Sequence, residues 1–404
     1  MTQREITTAP DLMMDRVRDD VEDLDVVSEE LLINMGPQHP STHGVLRLVL
    51  RTDGEMILET IPHIGYLHRC AEKIGENLAP FQFIPYTDRM DYLAGMNNNH
   101  GFAIAIERLA GLEVPERAQY IRVIFSELNR IASHLVAVGC FGLDMGAWTP
   151  LLYCFREREL ILDLFEATCG ARLTYSYITI GGVTHDLPDD FVDKCNEFLD
   201  YFEPKINDYN QLLSYNHIFI KRLAQVGIIS AEDAIAYGLT GPNLRGSGVK
   251  FDLRKALPYD VYDRMEFDVP VGEPGGQGRI PRGVVLGDCW NRYFLRLVEI
   301  EQSVRIVRQC LRDLPPADKD GVLHKKNRNV KLPKDEVYFE IENPRGQLGF
   351  YVQGDGSAIP SRVKVRAPTF CHLCIMNHVT RNCLLADVPA ILGSIDIVLG
   401  EVDR

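Results

Sequence analysis

The chain has 404 residues, of which 46% are hydrophobic and 25% charged, the balance of a folded globular protein rather than of a disordered or membrane-spanning chain. Its formal net charge of −14 argues against nucleic-acid binding, which needs a clustered Lys and Arg surface. Its ten cysteines are scattered rather than arranged in a dense framework, which favours a reducing compartment.

The first 32 residues are predicted to form an acidic N-terminal arm. Residues 1–30 contain ten Asp or Glu and three Arg, and their weak periodicity allows at most one short helix near residues 10–25. The arm lacks both the Arg-rich character of a transit peptide and the apolar core of a signal peptide. We therefore expect a mature chain without a targeting leader.

Residues 33–65 are predicted to form a β-hairpin region that begins the main domain, residues 33–404. The runs "VLRLVLR" and "EMILET" flank a turn that contains Gly54. The preceding loop, "GPQHPSTHGVLR", carries His39 and His43, and two prolines, Pro37 and Pro40, lie close to them. From the residues alone this loop is a metal site, a proton-handling site or an ordinary turn, because histidine serves all three roles.

Residues 90–315 are predicted to form a helical core. Apolar residues recur at helical spacing over 116–139, and further helices are indicated at 150–169, 189–222 and 289–313. Glycines at 139, 142 and 146 are expected to break the chain around Asp144.

A polar stripe made of Glu127, Arg130 and His134 lies opposite the apolar positions of the 116–139 helix. Residues three and four apart share one helix face, so we interpret the stripe as a solvated face with local ion pairs. The alternative is a face turned toward a partner subunit.

Residues 336–404 are predicted to form a C-terminal part with three short strands, in "VYFEIENP", "GFYVQGDG" and "SRVKVRA". A helix over 371–386 and an apolar terminal segment follow. The predicted fold class is therefore α+β, with a helical core and small N-terminal and C-terminal β elements.

Two further patterns are weak signals for a cofactor. "CHLC" at 371–374 is a single CxxC pair, which would need Cys383 and His372 or His378 to complete a metal site, so packing of the cysteines is the preferred interpretation. The glycine-rich segment 272–287 lacks the GK[ST] ending of a phosphate-binding loop and is predicted to be a mobile loop.

The motifs "GPQHPSTHGVLR", "PHIGYLHR", "PYTDRMDYL", "LDMGAWTP", "GARLTYSYITIGGV", "DLRKALPYDVYD" and "LADVPAILGSIDIVLGEVDR" together resemble the quinone-site subunits of respiratory complex I. The resemblance runs in order from about residue 33 to the C-terminus. It implies the fold of the [NiFe]-hydrogenase large subunit, and hydrogenase activity is thus the alternative to quinone chemistry.

The hydrogenase alternative requires two CxxC pairs that hold nickel and iron. Asp91 and Ala94 stand where the early cysteines would fall, and Val398 and Glu401 stand at the late ones. Without these thiolates the site has no soft ligands for nickel, so no metal of this chain's own is expected.

The resemblance implies that Tyr92 and His43 hydrogen-bond the two carbonyls of a quinone and that Asp144 is the carboxylate partner of His43. A phenol with a pKa of about 10 stays a donor at neutral pH, and a nearby carboxylate favours the charged imidazole. His39 is expected beside the quinone and Arg69 near an iron–sulfur cluster in a neighbouring subunit, although an ordinary structural ion pair is as good an interpretation of Arg69.

The resemblance also implies an enzyme context. The chain is expected to be a peripheral-arm subunit of a proton-translocating NADH:quinone oxidoreductase, on the cytoplasmic side of the cell inner membrane. Its expected partners are the B-type iron–sulfur subunit, the C-type subunit, the H-type membrane subunit, other complex I subunits and quinone. An enzyme of the same kind with a non-NADH electron donor is the second interpretation, and a catalytically silent scaffold is the third.

The sequence departs from the family at two positions. Thr174 and Thr179 replace a common His and Arg that would lie near the partner's cluster. Because a nearby cation stabilises a reduced cluster, their loss predicts a lower cluster potential and a menaquinone-type acceptor. The segment 272–287 also looks longer than is usual in the family.

Overall fold

The computed structural model describes residues 30–317, 321–323 and 330–404. The helix predicted near residues 10–25 lies outside the described residues. Helices fill the middle of the chain, and small antiparallel sheets lie near both ends. The predicted α+β class, with a helical core and terminal β elements, is confirmed.

The N-terminal sheet has three antiparallel strands in the order β1 (Glu30–Met35), β2 (Arg47–Asp53) and β3 (Met56–His63). The β2–β3 hairpin was expected, whereas β1 was not predicted. Leu48 and Leu50 alternate toward the core and are fully buried, as the period of two in a strand requires. The loop with the two histidines connects β1 to β2.

The helical part of the chain consists of long helices joined by short ones. In chain order the α-helices are α1 (Ala71–Gly75), α2 (Pro80–Thr87), α3 (Gly95–Ala110), α4 (Glu116–Asp144), α5 (Trp148–Cys169), α6 (Phe191–Phe202), α7 (Lys205–Tyr209), α8 (His217–Leu223), α9 (Ala231–Ala236), α10 (Pro242–Gly246), α11 (Leu253–Ala256), α12 (Cys289–Arg312), α13 (Pro368–Cys374), α14 (Met376–Thr380), α15 (Val388–Ile395) and α16 (Leu399–Asp403). Short 3₁₀ turns lie at Pro40–Thr42, Tyr262–Arg264 and Leu385–Asp387, and a π turn at Asn210–Ser214.

Helix α4 is longer than predicted and ends at Asp144. It runs through Gly139 and Gly142, so the expected break at these two glycines is wrong. A Cβ atom on Gly139 would lie 3.0 Å from the side chain and 3.2 Å from the Cα atom of Leu151. Gly139 therefore lets α5 approach α4 closely, and the chain turns only after Asp144.

Two other predicted helices are interrupted. The 189–222 segment is split into α6, α7, a π turn and α8, because Pro204 cannot continue the hydrogen bonding and Asn216 caps a new helix at its N-terminus. The 371–386 segment likewise contains α13, α14 and a 3₁₀ turn rather than one helix. The helices predicted at 150–169 and 289–313 are confirmed as α5 and α12.

A short hairpin of β4 (Ile178–Thr179) and β5 (Gly182–Val183) lies between α5 and α6. The three C-terminal strands are confirmed as an antiparallel sheet of β6 (Glu336–Asn343), β7 (Gly346–Gln353) and β8 (Arg362–Arg366). This sheet packs on α3, where a Cβ atom on Gly101 would lie 3.1 Å from Ile341 and Phe350. The β6–β7 turn thereby reaches the same region as the start of α3.

The polar stripe of α4 faces the protein interior. Glu127, Arg130 and His134 are fully buried, so the predicted solvated face and the alternative partner face are both wrong. Glu127 pairs with Arg130 at 3.2 Å and with Arg254 at 3.1 Å, and His134 Nε2 lies 3.0 Å from Glu299 Oε2. Buried charges need such partners because desolvation is costly.

The 272–287 segment contains neither helix nor strand and is held by backbone hydrogen bonds. The Gly272 and Gly287 amides donate to the carbonyls of Arg245 and Gly246 at 2.8 and 3.0 Å. Among the helices described, none combines the length and apolar character needed to cross a membrane.

Candidate functional site

The loop between β1 and β2 is folded around the 3₁₀ turn Pro40–Thr42. His39 caps this turn, since its Nδ1 accepts from the Ser41 amide at 3.2 Å, and its side chain is exposed. His43 ends the turn with φ +50°, a left-handed conformation that a non-glycine residue adopts only when its surroundings hold it there. The loop thus assigns the two histidines different positions.

His43 reaches the end of α4 and contacts Asp144. His43 Nε2 lies 2.7 Å from Asp144 Oδ2, and the two side chains are 15% and 6% exposed. The pair joins residues that are 101 positions apart in the chain. An imidazole held by a carboxylate in a mostly dry, partly open position can exchange protons with a bound molecule.

Helix α15 leaves room for this pair because it carries glycine at position 393. A Cβ atom there would lie 2.6 Å from the Phe141 ring and 3.2 Å from Asp144 Oδ2. Any larger side chain would push on the carboxylate that holds His43. Gly393 therefore belongs to the support of the pair, and the sequence motif alone did not single it out.

Tyr92 lies in the segment between α2 and α3 and is half-buried. Burial raises the pKa of its phenol; the charge of Arg345 lowers that pKa, that of Asp91 raises it and that of Arg69 lowers it, each by less than burial does. The phenol therefore stays protonated at neutral pH and is available as a hydrogen-bond donor.

A buried cluster of charged residues connects the surroundings of Tyr92 with those of His43. We name it the carboxylate cluster, and its members are Asp91, Asp396, Glu401, Arg345 and Arg296. Arg345 Nη1 donates to both oxygens of Asp91 at 3.0 and 2.8 Å, and Arg345 Nη2 donates to Asp396 Oδ1 at 3.2 Å. Asn343 Nδ2 lies 3.3 Å from Asp91 and 3.4 Å from Glu401. Positions 91 and 401, which would hold cysteines in a hydrogenase, thus meet in space as carboxylates.

The charge of His43 reaches this cluster through Asp396. Burial raises the pKa of Asp396, but Arg345, Arg296, His134 and His43 outweigh it and lower that pKa below its ordinary value. Tyr92 and His43 therefore act on one shared set of charges, although the structure records no direct bond between them.

Sequence reasoning missed Asn343, Arg345 and Asp396 as parts of the site. The sequence did contain a signal for Asp396, which is the single charged residue of the apolar run "AILGSIDIVLG". A charged residue buried in such a run needs a partner of opposite charge. Cys140, one helical turn before Asp144, was also missed. Burial and then the Asp144 charge raise the pKa of its thiol to about 11, so it is neutral.

Arg69 is exposed and uses its guanidinium on main-chain carbonyls. Its Nη2 donates to the carbonyls of Arg89 at 2.7 Å and Gly400 at 3.1 Å. Among the described residues its side chain bonds these carbonyls and no carboxylate. A cleft of about 400 Å³ opens beside it, lined among others by His68, Cys70 and Arg404.

The "CHLC" segment does not present its side chains as a common ligand set. His372 is buried and bonds Asn243 at 2.9 Å and the Thr240 amide at 3.3 Å, while Cys374 is exposed. Among the described residues, no group of three or more His, Cys, Asp or Glu is placed to hold a metal ion.

Thr174 lies just before the short strand β4, and Thr179 is the last residue of that strand. Thr174 is half-buried with φ +56°, and Thr179 is buried with its carbonyl accepting from Arg122 Nη2 at 2.7 Å. The neighbouring Arg172 is bonded to Asp163 at 2.7 Å and Glu166 at 2.8 Å on the surface. Its charge is therefore compensated by these carboxylates.

The helical core, the small terminal sheets and the carboxylates at two former cysteine positions define a protein of the hydrogenase-large-subunit-like fold without that enzyme's metal ligands. Residues 144–404 match the family model described as "Respiratory-chain NADH dehydrogenase, 49 Kd subunit". The chain belongs to this family, as the motifs of the sequence indicated.

Curated relatives cover nearly the whole chain. The D subunit of NADH-quinone oxidoreductase from Chlorobium luteolum is 50% identical over 381 residues, 94% of this chain and 95% of that protein. The proteins of the same name from Bacillus cereus and Desulforamulus reducens are each 51% identical, over 93% and 94% of this chain and 99% of their own lengths. The likeness therefore extends upstream of the matched family model and includes the histidine loop.

Proposed function

We propose that this chain forms the quinone headgroup pocket of a proton-translocating NADH:quinone oxidoreductase, together with a neighbouring iron–sulfur subunit. The observation that carries the proposal is the 2.7 Å contact between His43 and Asp144. It holds a proton-exchanging imidazole beside a loop in a family whose relatives are named as quinone oxidoreductases.

The reaction needs two electrons and two protons for each quinone. The electrons come from the iron–sulfur cluster of the neighbouring subunit, and Tyr92 and His43 each donate a proton to one quinone oxygen. Asp144 holds the imidazole in place through the 2.7 Å contact with Nε2. Donors fixed where negative charge develops lower the barrier because no solvent has to reorganise.

Arg69 is the residue that we assign to the partner's cluster. Its guanidinium is exposed and fixed by two carbonyls, so its positive charge stays uncompensated among the described residues. His39 supports the quinone loop as the cap of its 3₁₀ turn rather than as a proton donor.

Coupling to proton pumping follows from the charges of the site. When Tyr92 and His43 give up protons, the balance around Asp144, Asp396 and Arg345 changes, and this change is passed to the membrane part of the enzyme. The B-type, C-type and H-type subunits are the proposed neighbours, with the chain peripheral on the cytoplasmic side of the cell inner membrane. The acidic composition suits a protein partner rather than nucleic acid.

A menaquinone-type acceptor is the proposed substrate class. Thr174 and Thr179 contribute no positive charge beside the partner's cluster, and Arg172 is held by surface carboxylates. A cluster without a nearby cation has a lower potential, which matches a low-potential quinone. A redox titration of the assembled enzyme that gives a high-potential cluster would contradict this assignment.

The central test is the Tyr92→Phe variant in the assembled enzyme. Loss of the phenolic proton should slow quinone reduction by roughly 10²-fold, the usual effect of removing a general acid, without loss of subunits. Tyr351→Phe is the matched control, because the Tyr351 hydroxyl contacts Glu336 on the C-terminal sheet, away from Tyr92. Full activity of the Tyr92 variant would favour a silent scaffold.

A further inference from the structure

The carboxylate cluster contains one more acid than its cations can balance. Asp91, Asp396 and Glu401 face Arg345 and Arg296, and all five are buried. Arg345 bonds both Asp91 and Asp396, and Arg296 lies 3.7 Å from Asp396. His134 and His43 also act on Asp396, but each is paired with a carboxylate of its own, Glu299 and Asp144. Three buried carboxylates with two guanidinium groups therefore leave one negative charge without a partner, which a dry site does not tolerate.

Glu401 is the member of the cluster that touches no cation among the described residues. Its Oε2 accepts from the Thr369 hydroxyl and amide, and its Oε1 lies 3.4 Å from Asn343 Nδ2. Glu342, which precedes Asn343 in the chain, accepts a hydrogen bond from Arg245 and therefore does not compete with Glu401 for Arg345 or Thr369. Arg69 approaches only the main chain here, through the Gly400 carbonyl. The proton that neutralises the excess negative charge of the cluster therefore belongs on Glu401.

The surroundings of Glu401 also contain an acceptor that lacks a donor. Asn343 is fully buried, and its Oδ1 has no hydrogen-bond partner among the described residues. Burial, followed by the Asp91 charge, raises the pKa of Glu401 to about 8, in agreement with the charge count.

We propose that Glu401 holds a proton in the resting enzyme and is the internal store from which Tyr92 is reprotonated after quinone reduction. Glu401 acts through Asp91, which shares Asn343 with it and is the chain neighbour of Tyr92. It is therefore a positioning residue that need not touch the quinone. This inference rests on the proposed function of Tyr92.

The step is balanced as follows. The quinone receives two electrons from the partner's cluster and two protons, one from the Tyr92 phenol and one from the His43 imidazole, and becomes a quinol. The tyrosinate left behind recovers its proton from Glu401 by way of the Asp91 side, and Glu401 becomes a carboxylate. Solvent then returns one proton to Glu401 and one to His43, so that no further reactant is required.

The first measurement is the infrared difference spectrum of the assembled enzyme during a pH titration without quinone turnover. Wild type should show a protonated carboxyl band that disappears with a midpoint near pH 8, because the pKa of Glu401 is raised to about 8. Glu401→Gln should lack this band, and Thr369→Val should move the midpoint upward because the lost hydroxyl favours the ionised form. A spectrum unchanged by Glu401→Gln would overturn the proposal.

The second measurement is the pH profile of quinone reduction. Glu401→Gln should slow the reaction by about tenfold at neutral pH and abolish the alkaline fall with its midpoint near 8, and Glu401→Asp should restore part of both. A Glu401→Gln enzyme with the rate and pH profile of wild type would reject the proton store. If Tyr92→Phe is also fully active, the proposed function itself fails, and the infrared band still decides the charge of Glu401.

Discussion

Two buried glutamates in this chain have opposite protonation behaviour. Both are fully buried, and burial alone raises the pKa of each. Arg130 and Arg254 outweigh burial at Glu127 and lower its pKa to about 2, whereas Glu401 has Asp91 as its strongest charged neighbour and a pKa of about 8. The contacting charges, and not the depth of burial, decide whether a core carboxyl is ionised.

The difference separates a structural region from a region suited to proton transfer. The hydroxyl groups of Tyr262 and Ser303 each donate a hydrogen bond of 2.6 Å to Glu127, in addition to the bonds from its two arginine partners. Around Glu401 the donors are one hydroxyl and distant amide groups. A fully satisfied carboxylate keeps one state, whereas a poorly satisfied one can change its state within the range of cellular pH.

The largest expected effect comes from Glu127→Ala, which breaks the structural region. Removing the carboxylate leaves Arg130 buried without its ion-pair partner and leaves Arg254 with Asp252 alone, and we expect a loss of about 3–5 kcal/mol of stability. The assembled enzyme should show a strongly lowered unfolding temperature or fail to assemble. Glu116→Ala removes an exposed ion pair with Arg264 and should change neither quantity measurably.

A smaller effect is expected from the pH dependence of stability that Glu401 contributes. Its pKa is raised from 4.5 to about 8 in the folded chain, so the folded state binds more protons than the unfolded state between these values. Stability from this group is present below pH 4.5 and is lost as the pH rises toward 8, by an amount on the order of a few kcal/mol.

Glu401→Gln should remove this dependence. The unfolding temperature of the variant relative to wild type, measured between about pH 5 and 9, should rise with pH. If the unfolding temperature of the variant relative to wild type stays constant or falls over this interval, the neutralising proton lies elsewhere in the cluster.

Gly393→Ala extends the comparison to a further carboxylate, Asp144. The new methyl group would collide with Phe141 at 2.6 Å and press on Asp144 Oδ2 at 3.2 Å, at an expected cost of about 1–3 kcal/mol. Quinone reduction should fall with the displaced His43–Asp144 pair. Gly54→Ala, where nothing lies within 4 Å of the added Cβ atom, should leave the reaction rate unchanged.

The smallest expected effect is that of Ser303→Ala. It removes one of the donors to Glu127 and should cost about 1 kcal/mol, seen as a small drop in unfolding temperature. Because both arginine partners remain, Glu127 should stay ionised and no new protonated carboxyl band should appear. Appearance of such a band would show that the hydroxyl, rather than the arginines, keeps Glu127 charged.

Local patterns in the sequence predicted the elements that depend on neighbouring residues. The helices Trp148–Cys169 and Cys289–Arg312 and the three C-terminal strands follow from periodicity. The strand Glu30–Met35 was missed, because its pairing partner lies beyond the histidine loop and its exposed residues show little alternation.

The site was predictable only in part for the same reason. Glu127 on α4 has the same spacing pattern whether its face meets water or other buried charges, since the partner Arg254 is distant in sequence. The predicted pairing of His43 with Asp144 came from resemblance to a family, as no local pattern joins residues 101 positions apart. Asp396 and Arg345 needed the tertiary structure, because their role is to balance each other's charge.

The most direct test of the account uses Asp144→Asn in the assembled enzyme and compares two rates, reduction of quinone and reduction of an artificial acceptor upstream of it. Asparagine keeps the size of Asp144 but not the charge that holds His43. The account predicts that quinone reduction falls by roughly 10²-fold while the upstream rate is unchanged. If both rates of the fully assembled variant equal those of wild type, a proton-donating quinone site at His43 and Asp144 is contradicted.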